Sequence, residues 1–189
     1  HNNSISDDPS RIIRCAKYAS RLGFNISNNA LKQSQETVRK WPWECSGNHK
    51  KIIPPPALGI RMRMELAEIY KYDDLKNVVS IIDKWGIISI LNESIQVNKR
   101  FSRGLNWIMK LNGNYILFLL KNAEDLDKAC QRFLINNSER KILEDYLNIK
   151  KILKTKQDKY TNYSPASWTE FIESRNLNDE TVKLLICDG

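Results

Sequence analysis

Apolar residues recur at helical intervals along almost the whole chain. Asp8 and Pro9 have the residue types of a helix N-cap and first helical position. Ile12, Ile13, Ala16 and Ala19 follow on one side, and Gly23 supplies a C-terminal stop. A second helix is predicted to begin after Ser27 and to end before Pro42, because proline disfavours helical geometry in the residue before it. Leu58, Met62, Leu66 and Ile69 share one face of a third. Asp73 or Asp74 opens the next, Gly86 closes it, and these two should form an antiparallel hairpin. Helical spacing or a cap residue marks further segments near Val97 to Leu111, Tyr115 to Lys121, Glu124 to Leu134, Ser138 to Lys156, Pro165 to Ser174 and Asp179 to Cys187. No Asn-Gly pair separates alternating apolar runs, so strand signals are scarce. The fold class implied is all-α, a sequential helical array. From Glu139 to Lys159, mixed charges surround Ile142, Leu143, Leu147, Ile149 and Leu153, the pattern of a solvated helix face rather than an RNA groove.

Composition narrows this picture. A chain of 189 residues can bury the core of one domain or two small ones, so it needs no disulfide or metal for stability. With 41% hydrophobic and 28% charged residues the balance is globular, and no apolar run approaches the roughly 20 residues of a membrane span. A soluble, cytoplasmic protein is expected. Cys15, Cys45, Cys130 and Cys187 lie far apart and the histidines are His1 and His49, so no zinc spacing can be assembled. Thirty Lys and Arg against 22 Asp and Glu give +8 and a pI near 9.3. That balance favours a polyanion such as RNA without separating it from an acidic membrane. The opening His1-Asn2-Asn3, with neither a start methionine nor a signal-peptide pattern, suggests an internal piece of a longer protein.

The run WPWECSGNHKKIIPPP, from Trp41 to Pro56, should be a loop with a stiff, extended end. Its tryptophans with Lys50 and Lys51 suit RNA by stacking and charge, or else plug the edge of a core beside a solvated lysine pair.

The stretch DDPSRIIRCAKYASRLGF, from Asp7 to Phe24, carries the chemistry. At about 100° per residue Arg11, Arg14, Tyr18 and Arg21 fall within about 80° of one another, opposite the apolar side. Asp8 and Arg11, three apart at the helix start, place an acceptor beside donors. Cytosine presents its exocyclic amine beside N3 and adenine its amine beside N1, so one Asp/Arg pair suits both. Uracil and guanine reverse that pattern and would leave polar groups unpaired. The same residues also suit a plain N-cap and a surface salt bridge.

This run resembles the neck motif of class II tRNA nucleotidyltransferases and the related bacterial poly(A) polymerases. There, two acidic residues, Pro, a variable residue and Arg-x-x-Arg lead into a helix ending Arg-Leu-Gly-Phe. By position, Asp8 and Arg11 match that family's nucleobase-reading pair, Asp7 stands where Glu is usual, and Arg14 matches the motif's second arginine, so the resemblance implies Asp8, Arg11 and Arg14 as nucleotide-binding residues. Pro9 and the run from Arg21 to Phe24 agree. Ser10 replaces a common apolar residue, and Lys17 and Tyr18 replace the usual Arg and Phe. Downstream, Arg61 and Glu65 in GIRMRMEL resemble the Arg-x-x-x-Glu-Leu helix that braces the neck, although Ile60 stands where Glu is frequent. The PPPALGIRMRMEL run is most like cyanobacterial members.

The resemblance divides the chain into residues 1–92, neck and start of body, and residues 93–189, a helical body and tail expected to grip tRNA. It implies tRNA, CTP and ATP as partners of a full-length enzyme. Asp7, Arg61 and Glu65 support the neck, with Lys17, Arg21, Lys50 and Lys51 as RNA contacts. Members add CCA, only CC, only A, or poly(A). The family's Mg²⁺-binding carboxylates sit on a head-domain strand after a Gly-rich turn, and nothing in the sequence resembles either. Asp7 and Asp8, adjacent at a helix cap, do not replace them. The chain by itself is therefore expected to be inactive and to hold no metal. Two other readings remain: a helical RNA-binding module without a polymerase parent, and a protein-interaction domain whose charge is incidental.

Overall fold

In a computed structural model, which describes residues 4–40, 56–155, 160 and 162–188, every regular element among the described residues is helical. In chain order these are α1 (Ser4–Asp7), α2 (Ser10–Leu22), α3 (Asn28–Lys40), α4 (Pro56–Tyr72), α5 (Leu75–Lys84), a 3₁₀ turn (Ile88–Ile90), α6 (Lys99–Lys110), α7 (Tyr115–Leu120), α8 (Leu126–Arg132), α9 (Asn137–Thr155), α10 (Pro165–Glu173) and α11 (Asp179–Ile186). The all-α expectation holds. The loop from Trp41 to Pro55 lies outside the described residues, and none of the described helices is long and apolar enough to cross a membrane. The chain forms two compact units, one of residues 1–98 with 122–135, the other of residues 99–121 with 136–189.

In the first unit, α2 lays Ile12, Ile13 and Ala16, all fully buried, against α4 and α5. The apolar stripe of α4 (Leu58, Met62, Leu66, Ile69) and that of α5 (Leu75, Val78, Val79, Ile82) are buried in turn. Local chemistry sets the ends. Asp74 caps α5 by accepting from the Asn77 N–H at 3.2 Å, while Gly23 and Gly86 take positive φ near 68° where the chain leaves α2 and α5. Arg132 of α8 is buried and donates to the Ser89 carbonyl at 2.7 Å, and Arg63 of α4 donates to the carbonyls of Phe133 and Leu134.

In the second unit, α7 is buried over its whole length behind the Asn114 cap. Gly104 brings α6 against its neighbours: a Cβ there would lie 2.5 Å from the Cys187 carbonyl oxygen and 3.0 Å from the Phe118 ring. Helix α9 buries Leu143, Tyr146 and Ile149 and leaves Leu147 exposed, so the inward stripe passes through Tyr146 rather than Leu147. Tyr160, Phe171 and Ile149 form a satellite core with Tyr163 and Trp168 packed against it. The Asp188 carboxylate gathers Lys121, the Tyr146 hydroxyl and Lys150, the last at 2.7 Å, and the Asp188 carbonyl accepts from Arg100 of α6.

Candidate nucleotide-reading site

The start of α2 is built around one carboxylate. Asp8 Oδ1 accepts from the Ser10 N–H at 3.2 Å and from the Ser10 hydroxyl at 2.6 Å, which closes a turn just ahead of α2; the cap position itself falls on Pro9, one residue later than expected, and has no side-chain cap bond. Asp8 Oδ2 accepts from Arg61 Nη1 of α4 at 3.0 Å, and Arg61 is itself steadied by its Nε donating to the Ala57 carbonyl at 3.1 Å. A carboxylate offers about four acceptor positions, and three are occupied here. The remaining one is fixed in direction, because the side chain is only 13% exposed. The helix is preceded by an extra turn, α1, that the apolar spacing did not indicate. Asp7 ends it, exposed and without a side-chain partner among the described residues.

Arg11 sits in the same turn as Asp8, its backbone N–H bonded to the Asp8 carbonyl at 3.1 Å. Its guanidinium is exposed and has no side-chain partner among the described residues. Of the two readings of Asp8 and Arg11, the plain salt bridge between them is absent: Asp8 pairs with Arg61, which leaves the donors of Arg11 uncommitted beside a held acceptor.

Below this point α2 and α4 are joined by a seam of ion pairs. Arg14 Nε donates to Glu65 Oε1 at 2.6 Å, and Lys17 Nζ to Glu65 Oε2 at 2.9 Å and Glu68 Oε2 at 2.6 Å. Arg21 closes the series with a two-pronged bond to Asp73, both distances 2.9 Å. The separations in sequence, 53 for Asp8 with Arg61 and 48 to 52 for the others, stay nearly constant, so the two helices run parallel in one register. Lys17 and Glu65 are both buried, a costly placement that is sustained because each is paired. Burial pulls the Lys17 ammonium down, but its bonds to Glu68 and Glu65 outweigh this and leave it raised. The Glu65 bond raises Arg14, and the Lys17 bond lowers Glu68. Arg14, Lys17 and Glu68 are thus each shifted toward their charged forms.

Most of the expected site residues sit along this seam. Arg61 and Glu65, expected to support the neck, reach across from α4: Arg61 to Asp8, and Glu65 to Arg14 and Lys17. Arg14, expected to bind nucleotide, is bonded to Glu65 with its side chain half exposed. Lys17 and Arg21, expected to touch RNA, are committed to carboxylates. Lys50 and Lys51 lie outside the described residues. Glu68 and Asp73 were not among the expected site residues. The signal for Glu68 is in the sequence as a stripe, Arg61, Glu65 and Glu68 at helical spacing, matched by the spacing of Arg14, Lys17 and Arg21; Asp73, just past the end of α4, lies off it. Among the described residues no three His, Cys, Asp or Glu side chains are grouped closely enough to hold a metal ion.

No protein-family model matches this chain, and no curated protein matches it in sequence. Its fold is similar to a solved structure described as the complex structure of CCA-adding enzyme with ATP. The two share 14% identity with a TM-score of 0.69 over 100% of this chain and 46% of that one. The chain thus spans under half the length of that protein, and the likeness is one of fold.

Proposed function

We propose that this chain is the helical, nucleotide-selecting and tRNA-binding region of a tRNA nucleotidyltransferase, an enzyme that adds C and A nucleotides to tRNA 3′ ends without a nucleic-acid template. One observation carries the reading. Asp8 is held by Arg61 beside an uncommitted Arg11, at the first turn of α2, in a fold similar along its whole length to part of a CCA-adding enzyme.

The chemistry follows from the two groups. The free acceptor position of Asp8 takes the exocyclic amine of cytosine or adenine, and Arg11 donates to the neighbouring ring nitrogen, N3 or N1. Uracil or guanine would set a carbonyl against the carboxylate and an N–H against the guanidinium. Each unpaired polar group costs about 1 to 3 kcal/mol, roughly a 5- to 150-fold penalty. Arg61 and Ser10 fix the direction of the carboxylate, and the Glu65 seam fixes the helix that carries Arg11, so base choice comes from a held acceptor beside a donor free to meet the ring nitrogen. Bond formation with Mg²⁺ is assigned to a head domain of the longer protein, and the cytoplasmic setting expected from the sequence goes with that role.

The test uses the full-length enzyme. Asp8→Ala and Arg11→Ala should each raise UTP and GTP incorporation relative to CTP and ATP while tRNA affinity changes less than about threefold. Intact base choice with lost tRNA affinity would instead make these residues backbone contacts and overturn the reading. The 189-residue chain alone, given tRNA, labelled CTP and ATP and Mg²⁺, should incorporate nothing.

A further inference from the structure

We infer that the exposed face of α6 is an RNA-docking surface, where the sugar–phosphate backbone of the tRNA and one unstacked base are held. This rests on, and makes more specific, the reading of the chain as tRNA-binding. At about 100° per residue, Asn106, Lys99, Lys110, Arg103, Trp107 and Arg100 occupy a sector of roughly 120° on α6. Gly104, Leu105 and Ile108 lie opposite and are buried. Trp107 is 45% exposed, with Lys110 Nζ 5.4 Å from its ring centroid. Arg100, bonded to the Asp188 carbonyl, and Gly104, pressed on the Cys187 carbonyl, fix the rotation of the helix and hence the direction the stripe faces.

The sequence around α6 is rich in cations and free of acid. From Ser94 through Ala123 it contains no Asp or Glu, while Lys99, Arg100, Arg103 and Lys110 fall within it and are exposed; Lys121 is buried against Asp188, the acid whose carbonyl takes Arg100. Lys99 and Lys110 stand about 16 Å apart along the helix, a span that meets several phosphates. An exposed indole bordered by cations is suited to stack a base while the cations take the flanking phosphates. An anionic membrane fits less well. A helix that docks on lipid inserts its apolar face, and that of α6 is already spent on the core of its own unit.

Fluorescence anisotropy of the 189-residue chain with labelled tRNA, between 50 and 200 mM salt, tests the assignment. The comparison is between wild type, Lys99→Gln/Arg103→Gln/Lys110→Gln, Trp107→Ala, and a charge-matched control in the other unit, Lys71→Gln/Lys76→Gln/Lys84→Gln. Circular dichroism verifies that each variant is folded. The α6 triple variant should weaken binding at least tenfold and flatten the salt slope by about 2 to 3, near 0.7 to 0.9 per lost cation. Trp107→Ala should weaken binding several-fold at unchanged slope, and the control by less than threefold. If the α6 variant behaves like the control while wild type binds tRNA, the surface lies elsewhere, and base selection through Asp8 and Arg11 is untouched. If phosphatidylserine vesicles lose the α6 variant and tRNA does not, the face serves a membrane and the inference fails. No tRNA binding by wild type at 50 mM salt would remove both the docking face and the tRNA half of the proposed function.

Discussion

Helices α2 and α6 each carry four cations, Arg11, Arg14, Lys17 and Arg21 on one and Lys99, Arg100, Arg103 and Lys110 on the other, yet they use them in opposite ways. Around α2 the chain supplies Glu65, Glu68 and Asp73, and three of the four cations are drawn into bonds that fasten one helix to another. Around α6 the sequence holds no acidic residue from Ser94 to Ala123; Asp188 takes Arg100 through its carbonyl and spends its carboxylate on Lys121, Lys150 and Tyr146, while Lys99, Arg103 and Lys110 lie exposed along one side of the helix. Cation content therefore says little about nucleic-acid contact until the carboxylates within reach have been placed. The one cation of α2 left out of the seam, Arg11, is the one at the reading position.

The contrast can be broken most strongly at Glu65. Glu65→Ala leaves the buried Lys17 with Glu68 alone and releases Arg14. A loss of about 3 kcal/mol is expected, measured by urea denaturation. Glu65→Gln should cost less, because it keeps acceptors in place, and a loss below about 1 kcal/mol for the alanine variant would mean the seam contributes little. A Lys17→Met/Glu65→Leu double variant should recover most of the stability, since an apolar pair needs no compensation.

The second unit has its own buried ion pair, and its effect is set by pH. Burial alone would push the Asp188 carboxyl up, but hydrogen bonds from Lys121, Lys150 and Tyr146 outweigh it and hold the carboxyl at about 2, against an ordinary 3.8. A depressed carboxyl favours the folded state above the ordinary value. Its contribution, about 2 kcal/mol, should therefore be complete above pH 4 and fade as pH falls toward 2. Asp188→Asn should lower the urea midpoint at pH 7 and approach wild type near pH 2. A constant gap across that range would assign the loss to packing. The smallest effect belongs to Arg61→Gln, whose ion pair is half exposed: less than about 1 kcal/mol of stability. In the full-length enzyme the same change should relax base choice partway toward that of Asp8→Ala, measured by competing UTP against CTP.

Helix positions were legible because period and caps are local. Asp74, Gly23 and Gly86 do what their types suggest, and Leu58, Met62, Leu66 and Ile69 are all buried. The turn from Ser4 to Asp7 is too short to show a period. The burial of Lys17 depends on carboxylates 48 and 51 residues away, so nothing near Lys17 reveals it. Tyr146 rather than Leu147 turns inward because its hydroxyl finds Asp188, a partner 42 residues along. The stripe on α6 was legible in principle. Net charge of the whole chain hides it, and the absence of acid from Ser94 to Ala123 exposes it.

The seam between α2 and α4 also acts as a vernier. Sliding α4 by one turn in one direction would bring Arg61 opposite Arg14 and Lys17, cation against cation. Sliding it in the other would set Glu65 against Asp8, carboxylate against carboxylate. Each neighbouring register sets a like-charged pair at the start of α2 and breaks the bond that holds Asp8, so the native height is favoured and the first turn of α2 is delivered to an incoming base at one level with no moving part to set it.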